Sequence, residues 1–182
     1  MNSLQNPVED KPPNPPRAPN AFTRMNATLA KFCMYFSVSG LFVIVAIVAF
    51  QVFGRYVLND SPTWAENLAL VLILYVTLIG AAVGVRDAGH IGMESLLILL
   101  PEGPRNKIEM IIHVLVAIFG ACMVYNGWIL GESVASYKLA NINLSEAVRY
   151  VPLVISGGLI MLFSLEHLIA LFNGTEVEPA WH

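Results

Sequence analysis

Few ionisable side chains stand in positions where this sequence could use them for chemistry. Glu66, Glu109, His113, Glu166 and His167 are the acidic and histidine residues within its long apolar runs. A charge held in an apolar medium is costly, so such residues often mark proton relays or ion paths. Glu109 and His113 stand four apart, share a helix face and can hydrogen-bond one another. All of them lie within about two turns of a run's end, and no charge occupies the middle of any run. A proton or ion pathway built by this chain alone would want one there. His113 and His167 allow a second chemistry, because they fall at similar depth on neighbouring antiparallel runs, where two imidazoles could ligate a haem iron. Two scattered histidines are a sparse signal for a sheltered haem. There is no GxSxG, HExxH or Walker-type loop and no zinc-ligand spacing, so an enzyme is the least supported class. Cys33 and Cys122 sit in apolar runs with no CxxC neighbour and read as buried structural thiols.

The elements that must position these residues are membrane spans. Of 182 residues, 56% are hydrophobic and 13% charged, and the mean hydropathy is +0.64. A soluble domain carries about a quarter charged residues. Four runs, at residues 32–53, 64–85, 108–130 and 151–172, are each long enough to cross a hydrocarbon core of ~30 Å as a helix. The predicted fold is an all-α integral membrane domain of four transmembrane helices over residues 25–174. Residues 1–24 hold prolines at 7, 12, 13, 15, 16 and 19 and read as a disordered tail, with a short tail at 175–182. An apolar core so far from the start argues against a cleavable signal and makes the first run an uncleaved anchor. Residues 91–100 are too few to cross, contain Glu94 and end at Pro101, which predicts a short interfacial helix. Asp60 or Ser61 can cap the second run, with Pro62 in its first turn. A short helix starting near Ser145 is expected in the last connection.

Charge sets the orientation. Lys11, Arg17, Arg24, Lys31, Arg86, Arg105 and Lys107 fall on one side, against Arg55, Lys138 and Arg149 on the other. That bias places both termini in the cytoplasm. No basic cluster could track a phosphate backbone, which argues against nucleic acid. Gly80 with Gly84, Gly127 with Gly131, and Gly157 beside Gly158 are small residues that let helices approach closely, either within this unit or against a partner subunit. Tyr56, Trp64, Trp128 and Tyr150 fall at span ends, where aromatic rings anchor helices among lipid headgroups.

Three stretches together resemble a known family. The first runs from Gln51 through Arg55, Tyr56, Asn59, Ser61, Trp64 and Glu66 to Leu68. The second is Val85-Arg86 through His90-Ile91 to Leu96-Leu97 and Leu100-Pro101. The third holds Tyr150, Pro152 and Gly157. They are similar to the DctQ-like small membrane subunit of tripartite ATP-independent periplasmic (TRAP) transporters, over roughly residues 30–172. Asn67 departs from the second glutamate often found after the Trp-x-Glu of that family. The resemblance implies a bacterial inner-membrane protein without a cofactor, the stationary scaffold of a sodium-coupled importer. Its implied partners are a large multi-span subunit, which holds the sodium and substrate sites, and a periplasmic binding protein delivering an organic acid. On that view Arg55, Tyr56, Trp64, Glu66, Gly80 and Gly84 contact partners. Arg55 pairs with a partner's acid or snorkels to fix span depth, and Glu66 suits the positive end of its helix. Asn59 and Ser61 shape the turn, Arg86 and His90 set the angle of the interfacial helix by capping and headgroup contact, and Pro101 and Pro152 bound their helices. A free-standing four-helix protein, as a bis-histidine haem carrier, is the alternative.

Overall fold

The computed structural model describes residues 21–60, 62–87, 102–139 and 143–173, with the side chains of 102–106 outside that description. Four long helices account for most of them: α1 (Ala21–Tyr56), α2 (Thr63–Asp87), α3 (Glu102–Ser133) and α4 (Val151–Asn173). All four are long and apolar enough to cross a membrane. The helix of α1 takes in residues 21–24, assigned above to the tail, and at 36 residues rises about 54 Å. It therefore outreaches a ~30 Å hydrocarbon core. Ser61, His90, Pro101 and the interfacial helix expected at 91–100 lie outside the described residues.

The helices pack in the order α1, α2, α4, α3, with only a minor contact between α1 and α4. The inner helices α2 and α4 thus carry two seams each, and the outer helices one. Along α1 the inward positions are Asn26, Ala30, Cys33, Ser37, Gly40, Ile44, Ile47, Gln51 and Gly54. They alternate steps of four and three, the spacing of a helix pair crossing at about +20°. Apolarity barely differs around this helix; size does. Small side chains line the seam from Ala30 to Gly40 and again at Gly54, while Phe32, Tyr35, Phe42, Phe50 and Phe53 stand exposed on the outside. Lipid is as apolar as leucine, so close backbone approach, not hydrophobicity, selects the buried face. On α3 the buried positions His113, Gly120 and Gly127 recur every seventh residue for the same reason.

Among the described glycines, the closest approach of two helix backbones is between α3 and α4. A Cβ built on Gly157 would lie 2.8 Å from the carbonyl oxygen of Gly120, and one on Gly120 would lie 2.8 Å from that of Gly157. Ala30, Ala82, Ile160 and Phe163 form a buried cluster joining α1, α2 and α4. These contacts bring together the N-terminal parts of α1 and α3 and the C-terminal parts of α2 and α4, here called the terminal end. At the opposite end, Asn59 takes φ 50°, the left-handed region that asparagine tolerates, as the α1–α2 chain reverses. Gly54 is required there, because a Cβ would sit 2.9 Å from the carbonyl oxygen of Asp60.

The described residues of the α3–α4 connection are joined by backbone hydrogen bonds. Leu139 N donates to Leu144 O at 2.9 Å and Glu146 N to Tyr137 O at 2.8 Å. The expected short helix forms as a single 3-10 turn (Glu146–Arg149), capped by Ser145, whose Oγ accepts from Ala147 N. Tyr75 Oη on α2 donates to Val148 O at 3.1 Å and ties this turn to the inner helices.

Candidate functional site

A group of buried charged and histidine side chains converges at the terminal end. Arg86, in the last turn of α2, is 1% exposed and meets Glu166 of α4, also 1% exposed. Arg86 Nε donates to Glu166 Oε2 and Nη2 to Oε1, both at 3.1 Å, a two-pronged ion pair. Arg86 Nη1 donates to Asp87 Oδ1 at 3.0 Å. The guanidinium carbon lies 6.0 Å from the centre of the Phe163 ring, within reach of its π face. One residue beyond Glu166, His167 is buried with Nε2 2.9 Å from Arg86 O. A carbonyl only accepts, so that contact places the proton on Nε2. His113 of α3 completes the group, its ring stacked on that of His167 with centroids 4.6 Å apart and planes 6° from parallel. Three helices are joined through one set of side chains.

This geometry corrects two readings made from sequence. Arg86 does not reach the headgroups: its side chain is enclosed between α2 and α4. The histidines do share a depth on adjacent helices, as expected, but face to face. Two axial ligands must aim their ring nitrogens at an iron from opposite sides. Parallel rings 4.6 Å apart leave no room for a macrocycle, and the Nε2 of His167 is occupied by a carbonyl. The haem alternative is therefore set aside. Among the described residues, no group of three or more histidine, cysteine, aspartate or glutamate side chains could hold a metal ion. The Arg86–Glu166 pair was missed in the sequence, although a usable signal existed. Glu166 needed a partner at its own depth, and Arg86 closes another run on the same side.

The other sequence-derived positions divide by end and by face. At the far end Arg55, Tyr56, Trp64 and Glu66 are exposed. Arg55 stands in the last turn of α1 and Glu66 in the first turn of α2, each favourably placed for its helix dipole. Trp64 lies against Phe50 of α1, with ring centroids 6.4 Å apart. Gly80 packs within the chain, since a Cβ there would be 3.5 Å from Ser37 Oγ; Gly84, by contrast, faces open space. Gly127 meets Leu153 and Val154, Gly131 meets Tyr150, and Gly158 is open. Pro152 is buried at the start of α4, where its missing amide costs no helix bond. Of the two cysteines, Cys33 is buried as expected, but Cys122 is exposed on the outer side of α3.

Four long apolar helices, the inner two joined by a buried ion pair, define a multi-pass α-helical membrane protein. Residues 44–174 match the family model described as "Tripartite ATP-independent periplasmic transporters, DctQ component", and the chain belongs to that family of TRAP small membrane subunits, transporter components and not enzymes. It is 25% identical over 130 residues to the sialic acid TRAP transporter small permease protein SiaQ of Vibrio cholerae serotype O1, covering 71% of this chain and 73% of the relative. A putative TRAP transporter small permease protein of Haemophilus influenzae is 21% identical over 135 residues, covering 74% and 82% of the two chains. The sialic acid TRAP transporter permease protein SiaT of Haemophilus influenzae is 33% identical over 73 residues, which is 40% of this chain and 12% of that much longer one.

Proposed function

We propose that this chain is the fixed scaffold of a sodium-coupled TRAP importer in the bacterial inner membrane, with both termini cytoplasmic. On this reading it braces a large multi-span subunit that carries the sodium and substrate sites, and an organic acid reaches that subunit from a periplasmic binding protein. Sialic acid, a carboxylate, is named for two of the relatives above and falls in that class. The observation that carries the scaffold role is how the buried charges are used. Arg86 binds both Asp87 and Glu166, and through Glu166 it locks α2 to α4. Chains that transport by themselves keep such groups facing a water-filled cavity. Arg55, Tyr56, Trp64 and Glu66 form the far-end surface offered to the partners, with Gly84 as an open small residue on α2. Surrounding lipid covers the remaining apolar faces.

The test is to express the chain with its genomic neighbours, isolate it in mild detergent and reconstitute what co-elutes. A co-eluting multi-span protein, with solute uptake that requires both chains, the binding protein and an inward sodium gradient, is the expected result. A chain that always elutes alone, or uptake indifferent to sodium, would sink the corresponding part of the reading.

A further inference from the structure

We infer that a water molecule is bound inside the bundle where α1, α2 and α4 meet, held by the Asn26 carboxamide and the Ser164 hydroxyl. The site belongs to this chain alone and does not depend on a role in a transporter. Its position follows from register. Ala30, Ala82 and Ile160 pack together, one from each helix. Residues four apart share a helix face, and α1 runs opposite to α2 and α4. One turn toward the terminal end, those same three faces carry Asn26, Arg86 and Ser164. An apolar layer is thus followed by a polar one, whose members are 0%, 1% and 0% exposed.

Within that layer Arg86 is bonded to Glu166 and Asp87. Asn26 Nδ2, Asn26 Oδ1 and Ser164 Oγ, by contrast, have no hydrogen-bond partner among the described residues. A serine hydroxyl can turn back onto its own helix, but a carboxamide holds two donor hydrogens and two acceptor sites. Buried polar groups in folded proteins are nearly always bonded, to protein or to ordered water. The chemistry of the three atoms selects the ligand. A cation would bond the two oxygens but not the Nδ2 hydrogens, and would share the layer with the Arg86 guanidinium. An anion would bond Nδ2 and the hydroxyl but not Oδ1, and would face the carboxylates of Glu166 and Asp87. Water donates and accepts without charge, and an internal water typically makes about three hydrogen bonds. Water is missing from the hydrocarbon core but present at its edge, and α2 ends at Asp87, one residue past Arg86. The direct contact between α1 and α4 is minor, so a bridging water joins an outer helix to the layer that holds the ion pair.

Radiolytic footprinting of the full chain in detergent tests the site. X-rays turn water into hydroxyl radicals, which oxidise side chains beside the water they came from, and a scavenger in the bulk removes those formed outside. Phe163 is the reporter, because it is fully buried and its ring centre lies 6.0 Å from the guanidinium carbon of Arg86, at the edge of the layer. The expected result in the wild-type chain is Phe163 hydroxylation that survives the scavenger. Asn26→Leu should abolish it, since leucine matches asparagine in size without its polar atoms, and the milder Ser164→Ala should reduce it. Thermal melts give a second reading. Ser164→Ala should lower Tm by about 2–4 °C in the wild-type background, the loss of one hydrogen bond in a chain of this size. Beside Asn26→Leu the same change should lower it by less than about 1 °C. Phe163 left unmodified, or modified equally in wild type and Asn26→Leu, would overturn the assignment. Coupling of Asn26 and Ser164 in the melts without Phe163 modification would show the two side chains bonded directly, and would overturn it as well. Each of these outcomes leaves the transporter-subunit reading untouched.

Discussion

Replacing Glu166 by leucine tests whether the buried ion pair holds the helices together. The change removes both hydrogen bonds that Glu166 accepts from Arg86 and leaves a guanidinium 1% exposed between α2 and α4. Breaking a buried pair from one side costs about 3–5 kcal/mol, most of it the uncompensated charge that remains. Asp87 still accepts from Arg86 at 3.0 Å, which places Glu166→Leu near the lower end, about 3 kcal/mol. At roughly 2–4 °C per kcal/mol for a chain of this size, Tm should fall by roughly 6–12 °C. Arg86→Leu should be worse, because it leaves the carboxylates of both Asp87 and Glu166 without their guanidinium. The triple variant Arg86→Met, Asp87→Asn, Glu166→Met should recover most of the loss, since apolar replacement of a whole buried charge group is close to neutral. The assay is the fraction of monodisperse protein on size exclusion after heating in one detergent. If Glu166→Leu stays within about 2 °C of wild type, or the triple variant melts below both single variants, the pair is not desolvated and the argument fails.

Gly157→Ala should lower stability by about 1–3 kcal/mol despite alanine's better helix propensity, because its Cβ would meet the Gly120 carbonyl at 2.8 Å and force α3 and α4 apart; a Tm equal to or above wild type would refute the contact. Tyr75→Phe should cost about 1 kcal/mol and increase hydrogen exchange in residues 146–149, since it removes the bond to Val148 O; exchange unchanged there would show the turn to be held otherwise. Arg55→Ala should reduce solute uptake by cells while leaving the amount of inserted protein the same, given its exposed place in the last turn of α1; undiminished uptake would remove it from the partner surface.

The spans were legible because length and apolarity suffice for them, and the 3-10 turn because Ser145 is a cap with a local job. What hydropathy could not show is which face of each helix packs. On α1 that information lies in residue size, Ala30, Cys33, Ser37 and Gly40 against Phe32, Phe36 and Phe42, and not in polarity. Partnership across helices was harder still. Arg86 and Glu166 are 80 residues apart, and their pairing depends on α2 lying beside α4, which no local pattern states. The histidines illustrate the limit well: depth and adjacency followed from span counting, but ring orientation is decided by packing. Burial of Arg86 also removes one charge from the tally of basic residues on its side, without reversing the bias on which the proposed orientation rests.

The distance in sequence between those two charges has a consequence for how the protein is made. Arg86 leaves the ribosome with α2, long before Glu166 exists, so for a time it has no carboxylate on α4 to meet. Its place in the last turn of α2 lets the side chain remain among headgroups during that wait, at little energetic cost. The α1–α2 hairpin can close on its small-residue seam during synthesis, and the α3–α4 hairpin on Gly120 and Gly157 afterwards. Where the two hairpins meet, the guanidinium is enclosed against Glu166, so their joining is the step that takes a charge out of water. A chain stalled before α4 would therefore be recognisable, with an arginine open to headgroups and water where the finished protein has an enclosed latch.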